Sequence, residues 1–81
     1  MSESWAVRFK SGSVLELLGD VRAEGKTLFC SWTSCNMEGP LRPTFLAFLE
    51  DANRIRRERL TSCLFPLGAV EDWRKHATGK Q

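Results

Sequence analysis

No apolar run in the chain approaches the ~18 residues of a membrane-spanning helix. The first residues, Met-Ser-Glu-Ser-Trp, hold neither the basic region nor the apolar stretch of a secretory signal. There is a single histidine, His76, and no Ser-x-x-Lys, Gly-x-Ser-x-Gly or His-x-x-x-His pattern, so the sequence assembles no recognisable hydrolytic site. Tyrosine is missing, and that excludes nothing. Three cysteines are an odd number, and a closed disulfide framework would leave one over. These shortages point to a cytoplasmic protein with free thiols that is not an enzyme, carries no cofactor and does not enter a membrane.

What is present is ordinary for a globular chain. The 81 residues suit one domain, 1–81, with 42% hydrophobic and 27% charged residues. Three tryptophans and five phenylalanines supply large apolar surface for a small core. Twelve Lys and Arg against ten Asp and Glu give a net charge of +2, too little to imply nucleic acid from bulk electrostatics. The distribution is more informative, because four arginines crowd at Arg54, Arg56, Arg57 and Arg59.

Hydrophobic periodicity sets out the elements. Trp5, Val7 and Phe9 alternate with Ala6, Arg8 and Lys10, as a half-buried strand requires, and Ser11-Gly12 marks a turn. Residues 13–24 read two ways. As a helix, Ser13 and Glu16 have capping-box spacing, and Val14, Leu17, Leu18 and Val21 form a stripe. As a strand, Leu15 and Leu17 share a face, Gly19 permits a bulge, and Glu24-Gly25 turns into the next strand. The strand reading is preferred because it pairs consecutive segments through short turns. Residues 27–33 follow as a strand with Leu28, Cys30 and Trp32 inward, and residues 34–42 read as loop.

A helix over 43–59 starts at Pro43, where a missing N–H does no harm. Phe45, Phe48, Leu49, Ala52 and Ile55 cover one face, with Glu50, Arg54 and Arg57 opposite. Arg56 and Arg59 break this pattern by falling on the apolar side, so the helix end must protrude or meet an acidic partner. The segment Ser-Cys-Leu-Phe-Pro ending at Pro66 suits a short edge strand. A last helix near 69–77 would bury Val70, Trp73 and Ala77, with Glu71 and Asp72 at its start and Arg74, Lys75 and His76 at its end.

Each candidate chemistry has a plainer explanation beside it. A zinc site would need Cys30, Cys35, Cys63 and His76, but Cys-x4-Cys is loose spacing and buried cysteine commonly acts as a small hydrophobe. The stretch from Cys35 through Glu38 to Pro40 is similar to the edge of some thioredoxin-like active sites. Their second cysteine falls three residues earlier, where this chain has Trp32. Gly25-Lys26-Thr27 matches the tail of a phosphate-binding loop, yet Asp20 stands where that loop needs glycine. The arginines offer the best site. Arg54, Arg56, Arg57 and Arg59, with Arg42, would meet a partner's carboxylates or phosphates through bidentate contacts. The plainer account pairs Glu50 with Arg54 and Arg54 with Glu58 on a solvated face. Trp73, on a lightly packed final helix, would serve as an interface anchor.

Val7, Lys10 and Gly12, then Gly25, Cys30 and Trp32, and finally Arg42 and Phe45 match a degenerate pattern. Through them the first half resembles the small bacterial proteins of the YodC type. The chain departs from that pattern at Gly12-Ser13-Val14, where those proteins carry Gly-Gly-Pro, and in its long arginine-rich helix. The resemblance implies a small antiparallel β fold and no particular activity.

The expected architecture is α+β. An antiparallel meander of about three strands over residues 4–33 packs against a helix near 43–59 and a short C-terminal helix near 69–77. The alternative is a βαβ start with residues 13–24 helical. The expected function is a small non-catalytic interaction module that binds another protein through the arginine-rich helix, such as an adaptor or an inhibitor from a phage or mobile element. A nucleic-acid binder using the same arginines is a second class, and a thiol-redox or metal protein centred on Cys35 a third. A homodimer stays open.

Overall fold

The computed structural model describes residues 3–76. The elements run β1 (Glu3–Phe9), β2 (Val14–Glu24), β3 (Thr27–Glu38), α1 (Arg42–Arg56), β4 (Ser62–Pro66), a 3-10 turn (Leu67–Ala69) and β5 (Val70–Lys75). The five strands form one antiparallel sheet in the order β4-β3-β2-β1-β5. The α+β expectation holds with five strands and a single α-helix among the described residues.

Residues 14–24 are a strand, paired with β3 along its length and with β1 from Val14 to Gly19, so the βαβ alternative is overturned. Leu15, Leu17 and Val21 are buried on the inner face, while Leu18, which the helical stripe would have buried, faces out. Gly19 stays on the inner side at a break in the β2–β3 register. A Cβ there would collide with the Ser31 carbonyl oxygen, so the two strands can approach only over a bare backbone. Trp32 lies opposite Gly19, and the Trp5 indole N–H donates to the Gly19 carbonyl at 3.2 Å.

Two corrections share one cause. The segment 34–38, read as loop, continues β3, and the helix near 69–77 is instead the 3-10 turn followed by β5; Ala77 lies outside the described residues. In β3, Leu18 pairs with Ser34 and Gly19 with Trp32, which leaves Thr33 as an extra residue. In β5, Phe9 pairs with Val70 and Arg8 with Asp72, which leaves Glu71 extra. Each bulge puts residues three apart on one face, Trp32 with Cys35 and Val70 with Trp73. That spacing imitates a helix in the second case and erases the alternation in the first. β1 also offers β5 a free edge, whereas a nine-residue helix would have had little to hold it. Arg8 and Asp72 add a two-pronged ion pair across β1 and β5, with Arg8 Nε 2.9 Å from Asp72 Oδ1.

The sheet is sharply curled. The rings of Phe9 on β1 and Phe65 on β4 lie 5.0 Å apart although β2 and β3 separate those strands. Lys10 N–H donates to Ala69 O, and Leu67 N–H to Lys26 O, both at 2.9 Å, so the 3-10 turn bridges the two edges. Val7, Leu15, Leu28, Cys30, Trp32 and Met37 fill the concave side. Phe45 from α1 closes it, 6.2 Å from both Trp32 and Phe65. The residues behind the YodC-type resemblance fall on β1, the two glycine turns, β3 and the start of α1.

Candidate protein-interaction surface

The start of α1 is held from outside the helix. Pro43 occupies its first turn, and no side chain caps it locally. Instead Ser13, fully buried in the β1–β2 turn, accepts the Leu41 N–H on its Oγ at 2.8 Å. Gly39 makes this possible: its φ is +107°, and a Cβ there would press on Ser13.

The helix ends three residues before the expected Arg59. Arg57 takes a left-handed conformation (φ 59°, ψ 31°), and its N–H returns to Asn53 O at 2.8 Å. The Asn53 side-chain carbonyl accepts the Leu60 N–H and ties the returning chain to the helix. Among the described residues, Phe45 is the one residue of α1 that is buried. Leu49, Ala52 and Asn53 are half-buried, while Phe48 is 47% and Ile55 76% exposed, against their expected place in the packed stripe. Arg56 lies about 20° around the helix from Phe45, and that charge on the core-facing side is consistent with a protruding end.

The arginines divide into two groups. Arg54 pairs with Asp51 and Arg56 with Glu58, both at 2.9 Å, in place of the Glu50–Arg54 and Arg54–Glu58 pairs read from the sequence. Arg42, Arg57 and Arg59 have no ion pair among the described residues. Segment 42–59 carries five arginines against three carboxylates, which accounts for the chain's whole net charge of +2. Arg54, Arg56, Arg57 and Arg59 gather at one helix end, and Arg42 stands at the other, about 21 Å away. Trp73 is not on a helix. It sits on β5 opposite Val7, 36% exposed, on the edge strand remote from β4 in the sheet order.

Beside α1 runs an apolar groove of about 320 Å³, lined mainly by Met37, Leu41, Phe45, Phe48, Leu64 and Phe65. Leu64, on edge strand β4, is 57% exposed. Sequence reasoning missed this surface because Phe48 and Ile55 share the core-facing periodicity of Phe45. The arginines interrupting that stripe were the available signal.

The thiols are placed for packing. Cys30 and Cys63 are direct cross-strand partners, and Cys35 lies on β3 rather than in a loop. Burial pushes the Cys30 thiol up to about 12 and the Cys63 thiol up to about 11. Burial also raises Cys35, opposed by the positive charge of Arg59. Raised values keep these groups protonated, the opposite of an activated thiolate. No group of three or more metal-ligating side chains occurs among the described residues, and the proposed quartet does not assemble: His76 follows β5, its N–H bound to Ser4 O. Gly25-Lys26-Thr27 is the β2–β3 turn, with Gly25 at φ +61°.

No protein-family model matches the chain, and no curated protein or solved structure is significantly similar to it. The surface must be read from its own chemistry.

Proposed function

We propose that this chain is a small non-catalytic binding protein that docks another protein through the protruding end of α1. The observation that carries the reading is Arg57. It is the sole non-glycine residue at positive φ among the described residues, at a position where glycine is the usual choice, and it has no carboxylate partner there. An unfavourable backbone conformation that presents an unneutralised guanidinium is better explained by an external anion than by folding. The exposed Phe48 and Ile55 on the same helix favour a protein over a nucleic acid, since they supply apolar contact that phosphates cannot use. An adaptor or an inhibitor fits this arrangement.

The test is affinity purification of the tagged chain from the cells that encode it, with protein and nucleic acid both scored. The Arg57→Gln/Arg59→Gln and Ile55→Asp variants run in parallel. The expected result is a protein recovered with the wild-type chain and depleted at least about tenfold by either variant, with circular dichroism unchanged. Recovery of nucleic acid with an affinity that falls steeply with salt would establish the competing reading. Retention of function after Cys35→Ser would remove the thiol class.

A further inference from the structure

The groove beside α1 opens onto an edge strand whose outward N–H groups have no protein partner among the described residues, although the Leu64 carbonyl accepts the Cys63 thiol at 3.7 Å. Trp32 N–H donates to Thr61 O at 2.8 Å, so residues 32 and 61 form a hydrogen-bonded pair. Antiparallel ladders alternate, which places Cys30/Cys63 and Leu28/Phe65 in the same class and Ser31/Ser62 and Phe29/Leu64 in the other. The N–H and C=O groups of Ser62 and Leu64 therefore point away from β3, toward the open side of β4. Among the described residues, neither N–H has a backbone partner outside the ladder. The edge is short and ends at Pro66, which limits indiscriminate pairing without closing the Leu64 position.

We infer that β4 accepts an extended segment of the partner protein as an added strand, a conclusion that rests on the docking role proposed for α1. Main-chain bonds to Leu64 and Ser62 fix the segment, and its apolar side chains enter the groove between Phe48 and Phe65. Arg59 precedes Ser62 by three residues, so the surplus positive charge lies just beyond the strand's first residue. The segment accordingly carries carboxylates on the flank that extends past Ser62, where Arg59 and Arg57 neutralise them. A second copy of this chain fits less well. Pairing centred on Leu64 would set Ser62 against Pro66, which has no N–H to give. It would also add a second excess of arginines instead of cancelling the first.

The test is selection of a random 12-residue displayed peptide library against the folded full chain. The most enriched peptide is then labelled with fluorescein for binding measurements. The inference expects enriched peptides with alternating apolar residues and at least two Asp or Glu at one flank. Bound peptide should slow amide exchange at Leu64 at least tenfold. Arg57→Gln/Arg59→Gln should weaken binding at least tenfold and reduce its salt dependence. Leu64→Pro should abolish binding, and N-methylation of the peptide amide facing Leu64 gives the same readout should that variant fail to fold. Peptides that protect α1 amides and leave Leu64 unprotected would overturn strand addition while leaving the α1 surface standing. Failure to enrich any peptide family would do the same, and the purification above would then show whether α1 docks a folded surface. Leu64 protection by self-association, with no peptide present, would assign the edge to a second copy.

Discussion

Phe9 and Phe65 meet edge to face at 5.0 Å across the mouth of the curled sheet, from strands with two others between them. In a flat sheet three ladder spacings would separate those strands by about 14 Å. The aromatic pair therefore reports closure directly, and Phe45 leans on the same cluster. This links the curl of the sheet to the position of α1. Phe9→Ala should cost about 3–5 kcal/mol, and Phe65→Ala less because Phe65 is only half-buried. A double-mutant cycle from denaturant unfolding should return a coupling of about 0.5–1.5 kcal/mol. Additive losses would mean that the rings touch without supporting each other.

Ser13 and Leu41 make the second long-range tie. Ser13→Ala leaves the Leu41 N–H without its acceptor in a half-buried place, a loss of about 1–3 kcal/mol. Urea midpoints would measure it, and hydrogen exchange should show faster opening at the first turn of α1. Ser11→Ala, at an exposed position, should cost well under half as much. Equal losses would show that the turn itself, and not the link to α1, is what Ser13 supports.

The order of legibility follows from which forces are local. β1, β2 and the first half of β3 could be read because inward residues alternate within each segment, Trp5 to Phe9, Leu15 to Val21 and Leu28 to Trp32. The rest of β3 and all of β5 could not, since the extra residues Thr33 and Glu71 reset the alternation and only the neighbouring strand reveals them. The arginine cluster was legible as composition. Which arginines lack partners was not, because Asp51 and Glu58 compete for them through side-chain geometry. Ser13 was visible only as a possible local cap, and its real partner lies 28 residues away.

The thiols predict an alkaline limit to stability. In the unfolded chain they titrate near the ordinary value of 9.0, while the fold holds Cys30 at about 12 and Cys63 at about 11. The folded state thus binds these protons more tightly. Their contribution is complete below about pH 9 and falls as pH rises from there toward 11 and 12. Urea midpoints at pH 7, 9 and 10.5 should be level over the first interval and drop over the second. Cys30→Ala should lower the midpoint at pH 7 yet flatten the alkaline fall. An unchanged alkaline slope in that variant would rule out Cys30 as its source.

Under the proposed docking role, Arg57 separates stability from partner binding in a single substitution. At φ 59° a side chain costs backbone energy that glycine avoids. Arg57→Gly should therefore preserve the fold and raise its unfolding free energy by up to about 1 kcal/mol. Arg57→Asn, which tolerates the same region better than arginine, should fall between. Affinity for the partner should move the other way, dropping at least about tenfold with Arg57→Gly because the free guanidinium is gone. Thermal melts and partner-binding isotherms on the same preparations decide the matter. A glycine variant that is less stable by more than 1 kcal/mol would make Arg57 a structural residue, and one that binds as well as the original would remove the anion it was proposed to meet.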